Sequence, residues 1–198
     1  MYFVNPYDKL EHDHDDIFFT SDLHVGHDNV IKFDKRPFSG VEEMSEKLIE
    51  NWNSVVNKDS IVYFLGDLSY KVKSDYIKWF VHQLNGDIRV ITGNHDRPKE
   101  LGKLKRFSDI QIYKRLEIID TEVKGEKQDL ILCHYPIMSW DKQRHGSIHL
   151  HGHCHQNLTI SNPEYYSNNR VIDVGCMGHN YTPLSYTQIK DIINSKNL

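Results

Sequence analysis

Residues 61–67, Ile61-Val62-Tyr63-Phe64-Leu65-Gly66-Asp67, decide the fold. Five apolar residues run without a break and stop at a glycine. A strand with one solvated face would alternate. A continuous run marks a strand buried on both faces, as in a parallel sheet covered by helices. Two neighbours repeat the pattern. Upstream, Ile17-Phe18-Phe19 runs into Thr20-Ser21-Asp22, and downstream Ile88 to Ile91 runs into Thr92-Gly93. Helical spacing fills the gaps between them. After Ser39-Gly40-Val41-Glu42, which has the form of a capping box, Val41, Met44, Leu48, Ile49, Trp52 and Val55 recur at helical intervals. Ser74 stands where it would cap a helix carrying Ile77, Phe80, Val81 and Leu84. The order β-α-β-α-β implies parallel strands and right-handed crossovers.

The second half has a different rhythm. Leu116 to Val123 and Leu130 to Cys133 flank Lys124-Gly125-Glu126-Lys127, a hairpin-like turn. Ser147 to His151, Leu158 to Ile160 and Arg170 to Val174 read as further strands, and a helix from about Ser185 to Asn194 closes the chain. Either one central sheet or a two-sheet sandwich with helices outside fits this order. The segment Glu11-His12-Asp13-His14-Asp15-Asp16 reads as a solvated acidic turn.

The 198 residues suit one domain, residues 1–198, with no repeat, linker or low-complexity tract. Apolar residues at 38% and aromatics at 11% argue against disorder. No apolar run reaches the roughly 18 residues of a membrane span, and the start lacks the pattern of a signal peptide. Cys133, Cys154 and Cys176 are too few for a disulfide framework, which points to a reduced, cytoplasmic protein. With 28 acidic and 24 basic residues, the net charge of -4 speaks against a broad nucleic-acid-binding face. It leaves a nucleotide or a nucleic-acid end open as substrate. No membrane partner is expected, and the sequence does not set an oligomeric state.

The unusual figure is 13 histidines, and the polar residues among them collect at strand ends. Ligands of open α/β sheets bind beyond the carboxyl ends of the strands. There the chain offers Asp22-Leu23-His24, Gly66-Asp67, Gly93-Asn94-His95-Asp96, His134, and His151-Gly152-His153-Cys154-His155. Residues i and i+2 of an extended segment share a side, so Asp22 with His24, and His153 with His155, could each reach one ion. Glycines 66, 93 and 152 allow tight bends and close backbone approach. Carboxylate, amide and imidazole together suit a borderline-hard divalent ion, with manganese first and Fe²⁺, Zn²⁺ or Ni²⁺ as alternatives. His27, Arg36 and Arg144 are candidate substrate contacts. His12, His14, His82, His145, His149 and His179 have no partner pattern and read as surface or core residues.

In this order the blocks D-x-H, G-D, G-N-H-[DE], H and G-H-x-H resemble the calcineurin-like metallophosphoesterases, and every block is present between Asp22 and His155. Phe19 to His27, Arg36-Pro37-Phe38 and His149 to His153 resemble a small bacterial and phage subgroup of that family. The resemblance implies a four-layer α/β/β/α sandwich of two mixed sheets flanked by helices. It implies one ion on Asp22, His24 and His155, a second on Asn94, His134 and His153, and Asp67 bridging the two. The implied catalytic set is His95, Asn94 and Asp67, and His151 would support a ligand or touch substrate. The implied reaction is hydrolysis of a phosphate ester by a hydroxide held between the ions, with His95 protonating the leaving group. One block departs from the phosphoprotein-phosphatase branch: after Gly66-Asp67 comes Leu68-Ser69-Tyr70-Lys71, without that branch's further Asp and Arg. Lacking that arginine clamp, the chain is expected to prefer phosphodiesters over the more highly charged monoesters. The alternatives are a phosphomonoesterase acting on a nucleotide or other small ester, a silent metal-binding regulator and a nucleic-acid-binding module. No ligand block is missing, as a silent regulator would predict. A P-loop is absent.

Overall fold

The computed structural model of the chain describes residues 7–10, 16–119 and 127–196. Two five-stranded mixed sheets lie against each other. The first contains β2 (Ile17–Thr20), β3 (Ile61–Phe64), β4 (Asp87–Ile91) and β5 (Phe107–Gln111), all parallel, with the short β10 (Leu184–Ser185) antiparallel beside β2. The second runs β1 (Tyr7–Leu10), β6 (Tyr113–Ile119), β7 (Lys127–Cys133), β8 (Ile148–His151) and β9 (Val171–Asp173). Here β6 and β7 are antiparallel, while β1 on β6 and the β7-β8-β9 steps are parallel.

The unbroken apolar run of β3 is explained by its two partners. Val62 and Phe64 join an outer core with Met44, Leu48 and Trp52 of α2 (Val41–Val55) and Phe80 and Val81 of α3 (Ser74–Gln83). Ile61, Tyr63 and Leu65 face the other way, into an inter-sheet core with Leu116, Leu130, Leu132 and Leu150. The C-terminal α7 (Tyr186–Asn194) inserts Tyr186, Ile189 and Ile193 into the same inter-sheet core. Its capping box is formed by Ser185 and Gln188. The outer face of the second sheet has a thinner cover, in which Ile131 and Val171 pack on Trp140 and on Tyr166 of α6 (Pro163–Ser167).

Several local expectations need correcting. Leu158 to Ile160 is helical, within α5 (Asn157–Ser161), not a strand. Ile160 is 76% exposed, so no sheet face buries that side of the segment. Ser39 makes no capping box with Glu42. Its amide and hydroxyl donate to Glu43, and Gly40 is the cap residue of α2. Ser74 is the first helical residue of α3 and makes no side-chain cap. The strands β1 and β5 and the short helices α1 (Asp28–Phe33) and α4 (Pro98–Lys103) carry too few apolar positions to be read in advance. The acidic stretch 11–15, with His12 and His14, and residues 124–126 of the expected turn lie outside the described residues. Among the described residues no helix is long and apolar enough to cross a membrane.

Candidate metal centre

The carboxyl ends of β2, β3, β4, β7 and β8 gather at one edge of the sandwich, where Ser21 bridges to Gly175 across the two sheets. The loops there are tied to one another. The amides of Asp22, His24 and Val25 donate to the carbonyls of Gly66, Asp67 and Leu68 at 2.9, 3.1 and 2.8 Å. The Asp96 carboxylate accepts from the amides of Asp67, Leu68 and Gly93 at 2.8, 3.1 and 2.9 Å. Gly66 has φ +93°, and a side chain there would run into the backbone of Gly93. A side chain at Gly152 would collide with the Ser21 hydroxyl and the Asp22 carboxylate.

The extended geometry expected for the candidate ligands is not what brings them together. Asp22, His24, Asp67, His153 and His155 all have left-handed backbones, with φ of 58°, 50°, 59°, 70° and 46°. Each such residue costs of order 1 kcal/mol or more. The reward is convergence: His153 and His155, which an extended segment could have placed on one ion, turn to two different clusters, as the family resemblance implied.

Asp22, His24 and His155 form the first cluster. His24 Nε2 is 3.1 Å from His155 Nε2, which is 3.6 Å from an Asp22 oxygen. His155 Nδ1–H donates to Asp34 at 2.7 Å, so its Nε2 lone pair faces the cluster. Arg36, expected to touch phosphate, does something else. Its guanidinium is buried and donates to the carbonyls of Asp22 and Leu23, both at 2.9 Å, and to Asp34. It braces the ligand loop from beneath and has no face left for substrate.

The second cluster is Asp67, His134 and His153, with the Asn94 Oδ1 3.1 Å from His134 Nε2. His134 Nδ1–H donates to the Leu65 carbonyl at 2.7 Å, which again turns Nε2 inward. One oxygen of Asp67 lies between the clusters, 3.5 Å from His134 Nε2 and 3.7 Å from His24 Nε2. His95 stands beside it, with its amide donating to the other Asp67 oxygen at 3.0 Å and its Nε2 3.9 Å from the first. The ring of Tyr70 packs edge-on against His95 at 4.5 Å between centroids, and His27 packs on Tyr70 at 5.3 Å.

Two other expected contacts are not brought here. Arg144 is exposed before the start of β8, at the end of the strand opposite His151. His151 is fully buried on the outer side of β8. Its Nδ1–H donates to the Gly152 carbonyl and its Nε2 accepts from the Tyr166 hydroxyl. It supports the loop from within and is closed off from the surface. Sequence reasoning missed Asp34, Tyr70 and Asp96 as supports. Asp34 had a readable signal, standing just ahead of the singled-out Arg36-Pro37-Phe38. The other two are recognised only through the loops they join.

The donor set fits divalent ions. Two imidazole nitrogens, His24 Nε2 and His155 Nε2, face each other at 3.1 Å. Burial drives the His24 pKa down to about 3, so the ring is a neutral donor. Burial raises the Asp22 carboxyl. It also works to raise Asp67, but the hydrogen bond and charge of His134 outweigh it and hold Asp67 at about 2. For His155, burial is outweighed by the bond to Asp34, which lifts its pKa. A cation placed among these groups would satisfy carboxylates and lone pairs that otherwise face one another.

Known proteins are similar to this chain over most of its length. An uncharacterized protein of Methanocaldococcus jannaschii, MJ1445, is 37% identical over 178 residues, spanning 89% of this chain and 90% of its own. The gene 66 protein of Mycobacterium phage L5 is 29% identical over 202 residues, covering 89% of this chain and 93% of its own length. The crystal structure of a protein of unknown function from Aquifex aeolicus, AQ665, superposes with a TM-score of 0.68 at 25% identity, over 89% of this chain and 98% of that one. The model of the calcineurin-like phosphoesterases matches residues 16–193, a span that contains every candidate ligand. The chain therefore belongs to the calcineurin-like phosphoesterase family, which uses divalent metals on phosphate esters.

Proposed function

We propose that this chain is a two-metal phosphodiesterase. Asp22, His24 and His155 would hold one ion, Asn94, His134 and His153 the other, and Asp67 both. When bound, two divalent ions supply positive charge for the phosphoryl oxygens and lower the pKa of attacking water. The observation that carries the reading is the single Asp67 oxygen between the two clusters, 3.5 Å from one histidine nitrogen and 3.7 Å from another.

His95 is the proton donor in this reading. Its ring is partly solvated, its backbone is fixed by Asp67, and the Tyr70 ring packs edge-on against it. General acid help of this kind is worth about 10²–10⁴-fold. The preference for diesters is supported by the two arginines that could have argued against it. Arg36 is engaged beneath the ligand loop and Arg144 lies at the far end of β8, so neither supplies the bidentate clamp a monoester dianion calls for. Manganese is the first choice of ion for this mixed donor set. A cytoplasmic setting belongs to the same reading and rests on the three free cysteines.

The test compares kcat/KM for bis-p-nitrophenyl phosphate and p-nitrophenyl phosphate at one pH, with Mn²⁺, Fe²⁺, Zn²⁺ and Ni²⁺ in turn. The diester is expected to be favoured, with the highest rate in Mn²⁺. A monoester preference of tenfold or more would overturn the diesterase reading. No hydrolysis of either ester in any metal would favour a metal-binding regulator.

A further inference from the structure

A cleft of about 750 Å³ lies beside Asn94 and His95, lined by the segment after β3, the first turns of α3 and helix α4. Its size is that of a site for a ligand the size of a nucleotide. Its lining has two parts. Val72, Ile77 and Leu104 supply an apolar wall, while Lys71, Lys78 and Arg97 are exposed and carry positive charge. None of these three cations forms an ion pair among the described residues. Against them stand three acids: Glu100 pairs with Lys103 at 2.8 Å, Asp96 is turned onto three loop amides that hold it without cancelling its charge, and Asp75 is exposed. With Lys103 included, the lining carries four basic side chains to three acidic ones. The Lys71 ammonium lies 4.8 Å from the Tyr70 ring centroid, and that ring packs on His95, so the cationic lining begins at the proposed proton donor.

We infer that this cleft takes the leaving nucleotide of a nucleic-acid phosphodiester, its base and sugar on the apolar wall and its next phosphate on Lys71, Lys78 and Arg97. The inference rests on the phosphodiesterase reading and on the placing of His95 at the leaving oxygen. A strand of several nucleotides fits this chemistry, because the protein's negative total charge is locally reversed here and a chain phosphate follows the scissile one at nucleotide distance.

The test uses the thymidylates d(TpT) and d(TpTpT). Only the trinucleotide carries a second phosphate, and whichever oxygen leaves, one of its two diesters has that phosphate on the leaving side. The wild type should show a kcat/KM at least tenfold higher for d(TpTpT) than for d(TpT), expressed mainly in KM. In the double variant Lys78→Glu with Arg97→Glu the ratio should fall to about one. Equal kcat/KM for the two in the wild type, or a ratio that survives the charge reversal, would overturn the inference. Failure of the parent reading looks different, because bis-p-nitrophenyl phosphate is then not hydrolysed either. Binding decides in that case. Metal-stripped wild type should bind thymidine 3′,5′-bisphosphate at least tenfold tighter than thymidine, with the difference lost in the folded double variant and in high salt. Equal binding of the two ligands would overturn it.

Discussion

The two clusters share Asp67 yet are built differently. The first is enclosed: Asp22 and His24 are 1% and 3% exposed, and His155 is braced by Asp34, which Arg36 grips from below. The second is held from one side only. His134 is fixed by the Leu65 carbonyl, but Asn94 and His153 are exposed and His95 and the cleft adjoin them. The difference separates two tasks. In the two-metal reading, a braced, enclosed cluster would keep its ion, and an open one would leave room for a substrate oxygen.

The largest effect should come from the shared residue. Asp67→Ala is expected to cut hydrolysis of bis-p-nitrophenyl phosphate by more than about 100-fold, beyond what loss of a mere supporting group costs. A variant keeping a tenth of the wild-type rate would break the link between the clusters. Next comes the open side. His95→Asn should retain its metals and lose about 100-fold in kcat. The loss should be larger for alkyl esters than for nitrophenyl esters, whose leaving groups need little protonation. Equal losses would remove His95 from the acid role.

A smaller effect tests the enclosed side. Asp34→Asn should weaken one metal site by about 10–100-fold and leave the other unchanged, as read by calorimetric titration with Mn²⁺. An equal change at both sites would erase the contrast drawn between them. The smallest effect concerns the floor under the first cluster, where Asp173 accepts from the amides of Gln156 and Gly175 at 3.2 and 2.8 Å. Burial lifts its pKa to about 7, above an unfolded value of about 3.9. Between those values the folded chain holds a proton that the unfolded chain has released, so stability falls as pH rises through the window. Denaturant titrations of metal-free Asp173→Asn should show less of that fall. The gain above pH 7 should be on the order of 1 kcal/mol, offset in part by the weaker amide acceptor. A steeper fall in the variant than in the wild type would reject the buried acid.

Much of this was legible in the sequence. The run Ile61 to Leu65 announces a doubly covered strand because both of its faces meet other apolar layers, and the blocks at the strand ends name every group in the two clusters. Short edge elements were not legible, since β5 has an exposed and half-buried pattern with no clear period. Leu158-Thr159-Ile160 alternates like a strand but has no sheet to face. Long side chains were the hardest to place. Arg36 was expected to touch substrate and His151 either to support a ligand or to touch substrate, and their partners, Asp34 with the loop carbonyls and Tyr166, come from how the chain closes in space. The left-handed backbones of the clustered Asp and His residues were equally hidden, because Asp and His carry no signal for that conformation as strong as glycine's.

The account turns on two metal sites joined by one carboxylate, and elemental analysis of the purified, Mn²⁺-loaded protein beside its Asp67→Ala and His24→Ala variants tests that most directly. Two ions per chain are predicted for the wild type, with loss at both sites in Asp67→Ala and at one in His24→Ala. Two full equivalents in Asp67→Ala, or fewer than two in the wild type at saturating Mn²⁺, would contradict it.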